Sequence, residues 1–259
     1  MFDLNLVQLG LIALIFAWSG FVRSGLGFGG ALFTLPFLLL VVNDPLLFLP
    51  IISVHLLFFS SITLIGEKLR KVDSTAGTHG IQSQINWGFI RYSMSIMLIP
   101  KIIGVVGLLV LPAELMNRVI FVLIGGYALT YIINKPMRSS SRIMDTVFLA
   151  LGGYISGTSL IGAPLIMAVA LRYLQPNQFR STLFAIWFVL VSIKMFAFAM
   201  AGVDLQLWNA LLLLPFAGIG HIIGLKTHQR LIQADTGSFY RLIGYILFAT
   251  SCMGIGLSL

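Results

Sequence analysis

Residues 152–164 read Gly152-Gly153-Tyr154-Ile155-Ser156-Gly157-Thr158-Ser159-Leu160-Ile161-Gly162-Ala163-Pro164, with an apolar run on either side, so that the whole stretch covers 144–171. Glycine is costly inside a helix and proline prefers its first turn. The stretch therefore reads as two half-helices meeting at an irregular break. A second stretch of the same kind covers 5–42, where two apolar runs flank Arg23-Ser24-Gly25-Leu26-Gly27-Phe28-Gly29-Gly30. Each stretch either crosses once or folds back as a hairpin, and the choice decides the fold.

The solvent in question is lipid. Of 259 residues 58% are hydrophobic and only 9% charged, whereas a soluble domain carries about 25% charged residues. Besides the two broken stretches, full-length apolar segments run at about 46–66, 89–110, 116–134, 180–201, 206–225 and 239–258. Each is close to the ~20 residues that cross ~30 Å of hydrocarbon. The chain reads as an all-α, polytopic membrane protein with the bilayer as its main partner. The acidic start, Met1-Phe2-Asp3, lacks the positive charge of a cleaved signal. The single cysteine, Cys252, excludes an internal disulfide and a cysteine-ligated metal cluster.

The net charge of +8 fixes the orientation. Lys68, Arg70, Lys71 and Arg91 surround one polar stretch, Lys135, Arg138 and Arg142 fill a second, Arg172 and Arg180 flank a third, and Lys226, Arg230 and Arg241 mark a fourth. Asp44, Glu114 and Asp204 occupy the intervening breaks. Basic loops stay cytoplasmic. With 5–42 and 144–171 both re-entrant, all four basic loops share one face. A single crossing at 144–171 would put the last two outside. The charge is thus an orientation signal and not a nucleic-acid footprint.

Each half of the chain then holds a hairpin and three crossings, an odd number, so the halves face opposite ways. The first repeat is 1–134 and the second 135–259. Gly20-Phe21-Val22 before one break matches Gly153-Tyr154-Ile155 before the other, and Pro100 with Gly104 and Gly107 matches Pro215 with Gly218, Gly220 and Gly224. Inverted repeats with interrupted helices mark secondary transporters, whose substrate lies near the midplane at the breaks.

Four cations lie outside the basic loops: Arg23, Lys101, Arg118 and Lys194. Arg118 sits four residues after Glu114 at a helix start and reads as a surface pair. The other three have apolar surroundings, and all eight acids fall in loops or at helix ends. A buried charge needs a partner or a wet cavity. Positive charge without carboxylates suits an anion and disfavours a cation pump. Snorkelling to the interface is the bland alternative for Lys194 and, less easily, for Lys101. Bonding to hairpin carbonyls is the alternative for Arg23.

The returning half-helices are expected to start near Gly29-Gly30 and Ala163-Pro164, with free N–H groups facing the midplane. Gly27, Gly29, Gly30 and Gly162 would let an anion approach the backbone, and Ser24, Ser156, Thr158 and Ser159 would add hydroxyls. Close helix packing explains the same small residues equally well. His55 and His221, within helices, are candidate anion ligands or neutral rings bonded to carbonyls. No metal site and no cofactor are expected. Gly25 to Gly30 literally matches a dinucleotide fingerprint but lacks the strand and the strand–helix alternation that give it meaning. No phosphate-binding loop of an ATPase is present, so movement is gradient-driven or facilitated.

These motifs, in this order, resemble the TauE/SafE family, the sulfite exporter and sulfonate permease group. The resemblance is carried by Gly27-Phe28-Gly29-Gly30 followed by Pro36, by Gly153 to Gly157 with Gly162-Ala163-Pro164, by Pro100, Gly104 and Gly107, by Lys194, and by the run from Pro215 through Gly224 to Arg241 and Gly244. It implies a carrier of sulfur-containing or carboxylate anions in the bacterial inner membrane, and no enzyme. Arg23 stands where the family has a small residue, and His221 where it has Gly or Ala. An anion channel is the alternative function, and an intramembrane hydrolase built on Ser159 and His221 the third. A homo-oligomer is compatible with either transport reading.

Overall fold

The computed structural model describes residues 4–26, 30–73, 85–135, 137–233 and 236–257. Among them the chain is all helix and loop, with no strand. Ten helices follow in order: α1 (Leu6–Leu26), α2 (Leu35–Val41), α3 (Pro45–Asp73), α4 (Trp87–Val110), α5 (Ala113–Ile132), α6 (Arg142–Ser159), α7 (Ala163–Tyr173), α8 (Pro176–Met200), α9 (Leu207–Gln233) and α10 (Thr236–Leu257). Six of them, α1, α3, α4, α5, α8 and α9, are long and apolar enough to cross a bilayer. The chain is a polytopic membrane protein.

Helix α4 shows which solvent the bundle is built for. Ile99, Ile103, Val106 and Val110 recur along one side of it and are all more than half exposed, while Ser93, Met97, Lys101 and Leu108 are buried. In water this pattern would be inverted. Here the apolar stripe meets lipid and the polar groups turn inward, where a partner is available.

Both broken stretches return to the end of the bundle at which they began. At the first, the Gln8 amide donates to the Val41 carbonyl at 3.4 Å, and Asn117, in the first turns of α5, donates to the Asn43 side chain at 2.5 Å. At the second, Asp145 near the start of α6 accepts from Arg172 at 2.9 Å and Tyr173 at 2.6 Å, both at the end of α7, and from Ser139 at 2.5 Å. The Asp145 carboxylate is fully buried, and its donors close the base of the hairpin. Asp145→Ala strands those donors, and hydrogen bonds to a charged group contribute about 1.5–3 kcal/mol each. We expect a melting temperature several degrees lower, read by thermal denaturation in detergent.

The two breaks are unequal. The second matches the expectation of two short helices, 18 and 11 residues long. In the first, α1 is not a half-helix. Its 21 residues continue through Gly20 and Gly25 and span roughly 31 Å at 1.5 Å per residue. The returning helix α2 has only seven residues and starts at Leu35, five residues later than expected from Gly30. Pro36 sets that start, because its fixed φ and missing N–H suit a helix's first turn. Residues 30–34 form a turn in which Thr34 and Leu35 N–H both donate to the Ala31 carbonyl, at 3.2 and 2.9 Å.

Helix α1 packs along α9, and α6 packs along α4. Both pairs rely on missing side chains. A Cβ on Gly153 would lie 2.7 Å from the Met97 carbonyl oxygen, and one on Gly157 would fall on the Lys101 carbonyl. A Cβ on Gly220 would fall on the Ala17 carbonyl, and one on Gly224 would lie 2.9 Å from Gly25 N and Ser24 Cβ. Gly104 meets Tyr154 and Gly157 as Gly224 meets Phe21 and Ser24. Gly107 and Gly218 have no close neighbour across either interface.

Candidate functional site

The two breaks meet at one cavity. Gly30, Ala31 and Leu32 of the first line it together with Leu160, Ile161 and Ala163 of the second. Arg23 from α1 and Ser156 from α6 supply its polar groups. Leu56 of α3 and Phe184, Trp187, Leu190 and Val191 of α8 form the apolar wall. The cavity has a volume of about 40 Å³, against the ~10–15 Å³ that a single water needs on the same measure. The space fits roughly three waters or an anion of a few heavy atoms.

Arg23 is 5% exposed, and its Nε and Nη2 have no hydrogen-bond partner among the described residues. Its guanidinium lies over the Phe59 ring, 4.0 Å from the centroid. The aromatic face offers weak compensation, about 0.5–2 kcal/mol. Among the described residues two donors are left without a partner, and the cavity lining contains no carboxylate. Buried polar groups in native proteins are almost always paired. A guanidinium that is not is a donor set awaiting an acceptor.

Neighbouring groups shape that end of the cavity. The Ser24 hydroxyl and His221 Nδ1 share a hydrogen bond, and the His221 ring packs on Phe59 with centroids 4.7 Å apart. Phe59 thus touches both Arg23 and His221. No sequence pattern singled it out, because a phenylalanine in an apolar segment is unremarked. Ala163, the first residue of α7, lines the cavity, and first-turn N–H groups have no partner within their own helix.

The other sequence candidates are placed as follows. Lys101 and Lys194 are fully buried, so neither snorkels to the interface. Lys101 Nζ donates to the Ser156 carbonyl at 2.9 Å and hydroxyl at 3.1 Å. Lys194 Nζ donates to the carbonyls of Gly157 and Thr158 at 2.8 and 3.0 Å. The Thr158 and Ser159 hydroxyls both donate to the Ile155 carbonyl at 3.0 Å, and neither residue lines the cavity. His55 Nε2 donates to the Ala210 carbonyl at 2.7 Å, and the residue does not line the cavity. A Cβ on Gly162 would fall on the Gly152 carbonyl, so that glycine closes the hairpin. Gly30 abuts the Arg23 side chain, where a Cβ would lie 3.3 Å from Arg23 Cβ. Gly27 and Gly29 lie outside the described residues. The expected helix start at Gly30 is absent, because the returning helix begins only at Leu35, after a turn in which the Thr34 and Leu35 N–H groups donate to the Ala31 carbonyl. Among the described residues no group of His, Cys, Asp and Glu is placed to hold a metal ion.

No curated protein and no solved structure matches the chain. A family model does, described as Sulfite exporter TauE/SafE, and it covers residues 11–253, from the first apolar run to the last helix and across both breaks. A single model spanning both hairpins, the cavity between them and all six long helices shows that the chain belongs to the sulfite exporter TauE/SafE family.

Proposed function

We propose that the chain is a secondary transporter of small sulfur oxyanions, sulfite foremost, in the bacterial cytoplasmic membrane. The observation that carries this reading is Arg23: a buried guanidinium that lines the cavity between two helix breaks, with two donors unpartnered and no carboxylate in the lining among the described residues. Sulfite has four heavy atoms and three acceptor oxygens. One oxygen edge would take Nε and Nη2 in the bidentate manner that suits guanidinium. Ser156 Oγ and the first turn of α7 would take the rest. Longer sulfonates and carboxylates would need the cavity to widen.

The same reading gives the pairing pattern a purpose. The contacts of α1 with α9 correspond to those of α6 with α4, as two inverted repeats would arrange them, and Arg23 and Ser156 then occupy matching positions on either side of the cavity. A carrier of this kind rocks one repeat against the other around a fixed midplane site.

A ligand bound only by the folded state raises the melting temperature. Purified protein should be stabilised by sulfite more than by sulfoacetate, taurine or short carboxylates at equal concentration. Stabilisation by none of them, or by the longer anions alone, would overturn the sulfite reading. Ser156→Ala removes one hydrogen bond to the charged anion, about 1.5–3 kcal/mol. Sulfite affinity should fall roughly ten- to a hundredfold, read from the concentration dependence of the same shift.

A further inference from the structure

Helix α6 ends at Ser159, inside the bundle, with Leu160 in the left-handed conformation at φ 63°. The last four carbonyls of a helix have no partner within it. Of these, the Ser156 carbonyl accepts from Leu160 N–H at 3.3 Å and from Lys101. Those of Gly157 and Thr158 both point at Lys194 Nζ. The amine also lies 5.4 Å from the centroid of the Phe198 ring. Two carbonyl oxygens and an aromatic face around one nitrogen, at the negative end of a helix dipole, are the surroundings of a monovalent cation. Neither Lys101 nor Lys194 meets a carboxylate among the described residues. The acid on α6 is Asp145, eleven residues and roughly 16 Å away along the helix, where Arg172 holds it. In secondary transporters, carbonyls at half-helix C-terminal ends commonly coordinate the coupling sodium ion.

We propose that the end of α6 is a monovalent-cation site filled by the chain's own Lys194 ammonium, with Lys101 completing the cluster. The amine is a tethered substitute for a free metal cation, held at the break by the same carbonyls that would bind sodium. It follows, taken with the transporter reading above, that anion flux needs no sodium or potassium.

The site is tested on purified protein in detergent by melting temperature in sodium, potassium, methylammonium and N-methylglucamine chlorides at equal ionic strength. The unsubstituted protein should melt at one temperature in all four, because its site is filled. A selective rise in sodium or potassium chloride would overturn the proposal. Lys194→Ala empties the site and leaves room. Its melting temperature should fall, and sodium, potassium or methylammonium should restore roughly 2–4 °C that N-methylglucamine does not. A folded variant indifferent to all four cations would overturn the proposal. Should Lys194→Ala fail to fold, the unsubstituted protein still decides in proteoliposomes. Sulfite flux should persist with all metal cations replaced by N-methylglucamine, and flux restored only by sodium or potassium would contradict the filled site. Absence of sulfite flux under every condition would count against the sulfite reading alone, leaving the melting experiment to judge the cation site.

Discussion

Arg23→Met is expected to weaken sulfite binding about a hundredfold or more while leaving the melting temperature unchanged or higher. Both halves follow from the same geometry. Nε and Nη2 are buried and unpartnered among the described residues. A bidentate bond from them to an oxyanion is two charge-assisted hydrogen bonds, about 1.5–3 kcal/mol each. Removing them costs affinity. In the empty protein the same guanidinium is a desolvated charge without a counter-ion among the described residues, and replacing a buried charge by an apolar side chain of similar length is often neutral or stabilising. Arg23→Gln keeps one donor and should fall between the two. A structural arginine would show the reverse: Arg23→Met would melt earlier and the folded fraction would bind sulfite normally. Melting curves with and without sulfite read both quantities from one sample.

Gly157→Val is expected to abolish folding or lower stability by about 3 kcal/mol or more. A Cβ there would fall on the Lys101 carbonyl and lie 2.9 Å from Gly104 Cα and 3.0 Å from Val105 N. All three are backbone atoms and cannot rotate away. Overpacking of this kind typically costs 1–3 kcal/mol even where side chains can yield. Pushing α6 from α4 would also separate Lys101 from its acceptors on Ser156. Gly107→Ala, on the same helix as Gly104, is the control: its Cβ would meet only Leu111 Cδ1, at 4.0 Å. That change should be neutral or slightly stabilising, because alanine is the better helix former by about 1 kcal/mol. Equal losses from both variants would refute the close-packing account of the α4–α6 seam.

The lipid-facing fold and the two breaks were legible in the sequence because they rest on one-dimensional signals: apolar length, loop charge, and clustered glycine and proline. The length of α1 was not. Gly25 read as part of the break, yet a helix inside a membrane has no water competing for its backbone groups. The glycine at position 20 lets α9 approach, since a Cβ there would fall on the Ala217 carbonyl. The charged ends of α3 and α9 carry those helices past their apolar segments to Asp73 and Gln233, which a hydropathy reading cannot see.

The site divides in the same way. Interior cations without acids were visible by counting, which gave Arg23, Lys101 and Lys194 together; of the three only Arg23 lines the cavity. The roles of Lys101 and Lys194 depend on which helix end each side chain reaches, and that is set by the pairing of α6 with α4 and α8, not by local sequence. Thr158 and Ser159 looked like free donors. Hydroxyls within a helix commonly bond back to the carbonyl three or four residues earlier, and both do so at Ile155. Of the four hydroxyls that the sequence offered, Ser24, Ser156, Thr158 and Ser159, only Ser156, one turn from the break, lines the cavity.

Counterflow of radiolabelled sulfite into proteoliposomes, with the unsubstituted protein and Arg23→Met side by side, tests the central claim most directly. A carrier that binds the anion at the cavity between the breaks should give saturable uptake accelerated by unlabelled sulfite inside, and Arg23→Met should abolish it at micromolar substrate while still inserting and melting normally. Uptake that rises linearly without saturation, or that proceeds equally with both proteins, would contradict it.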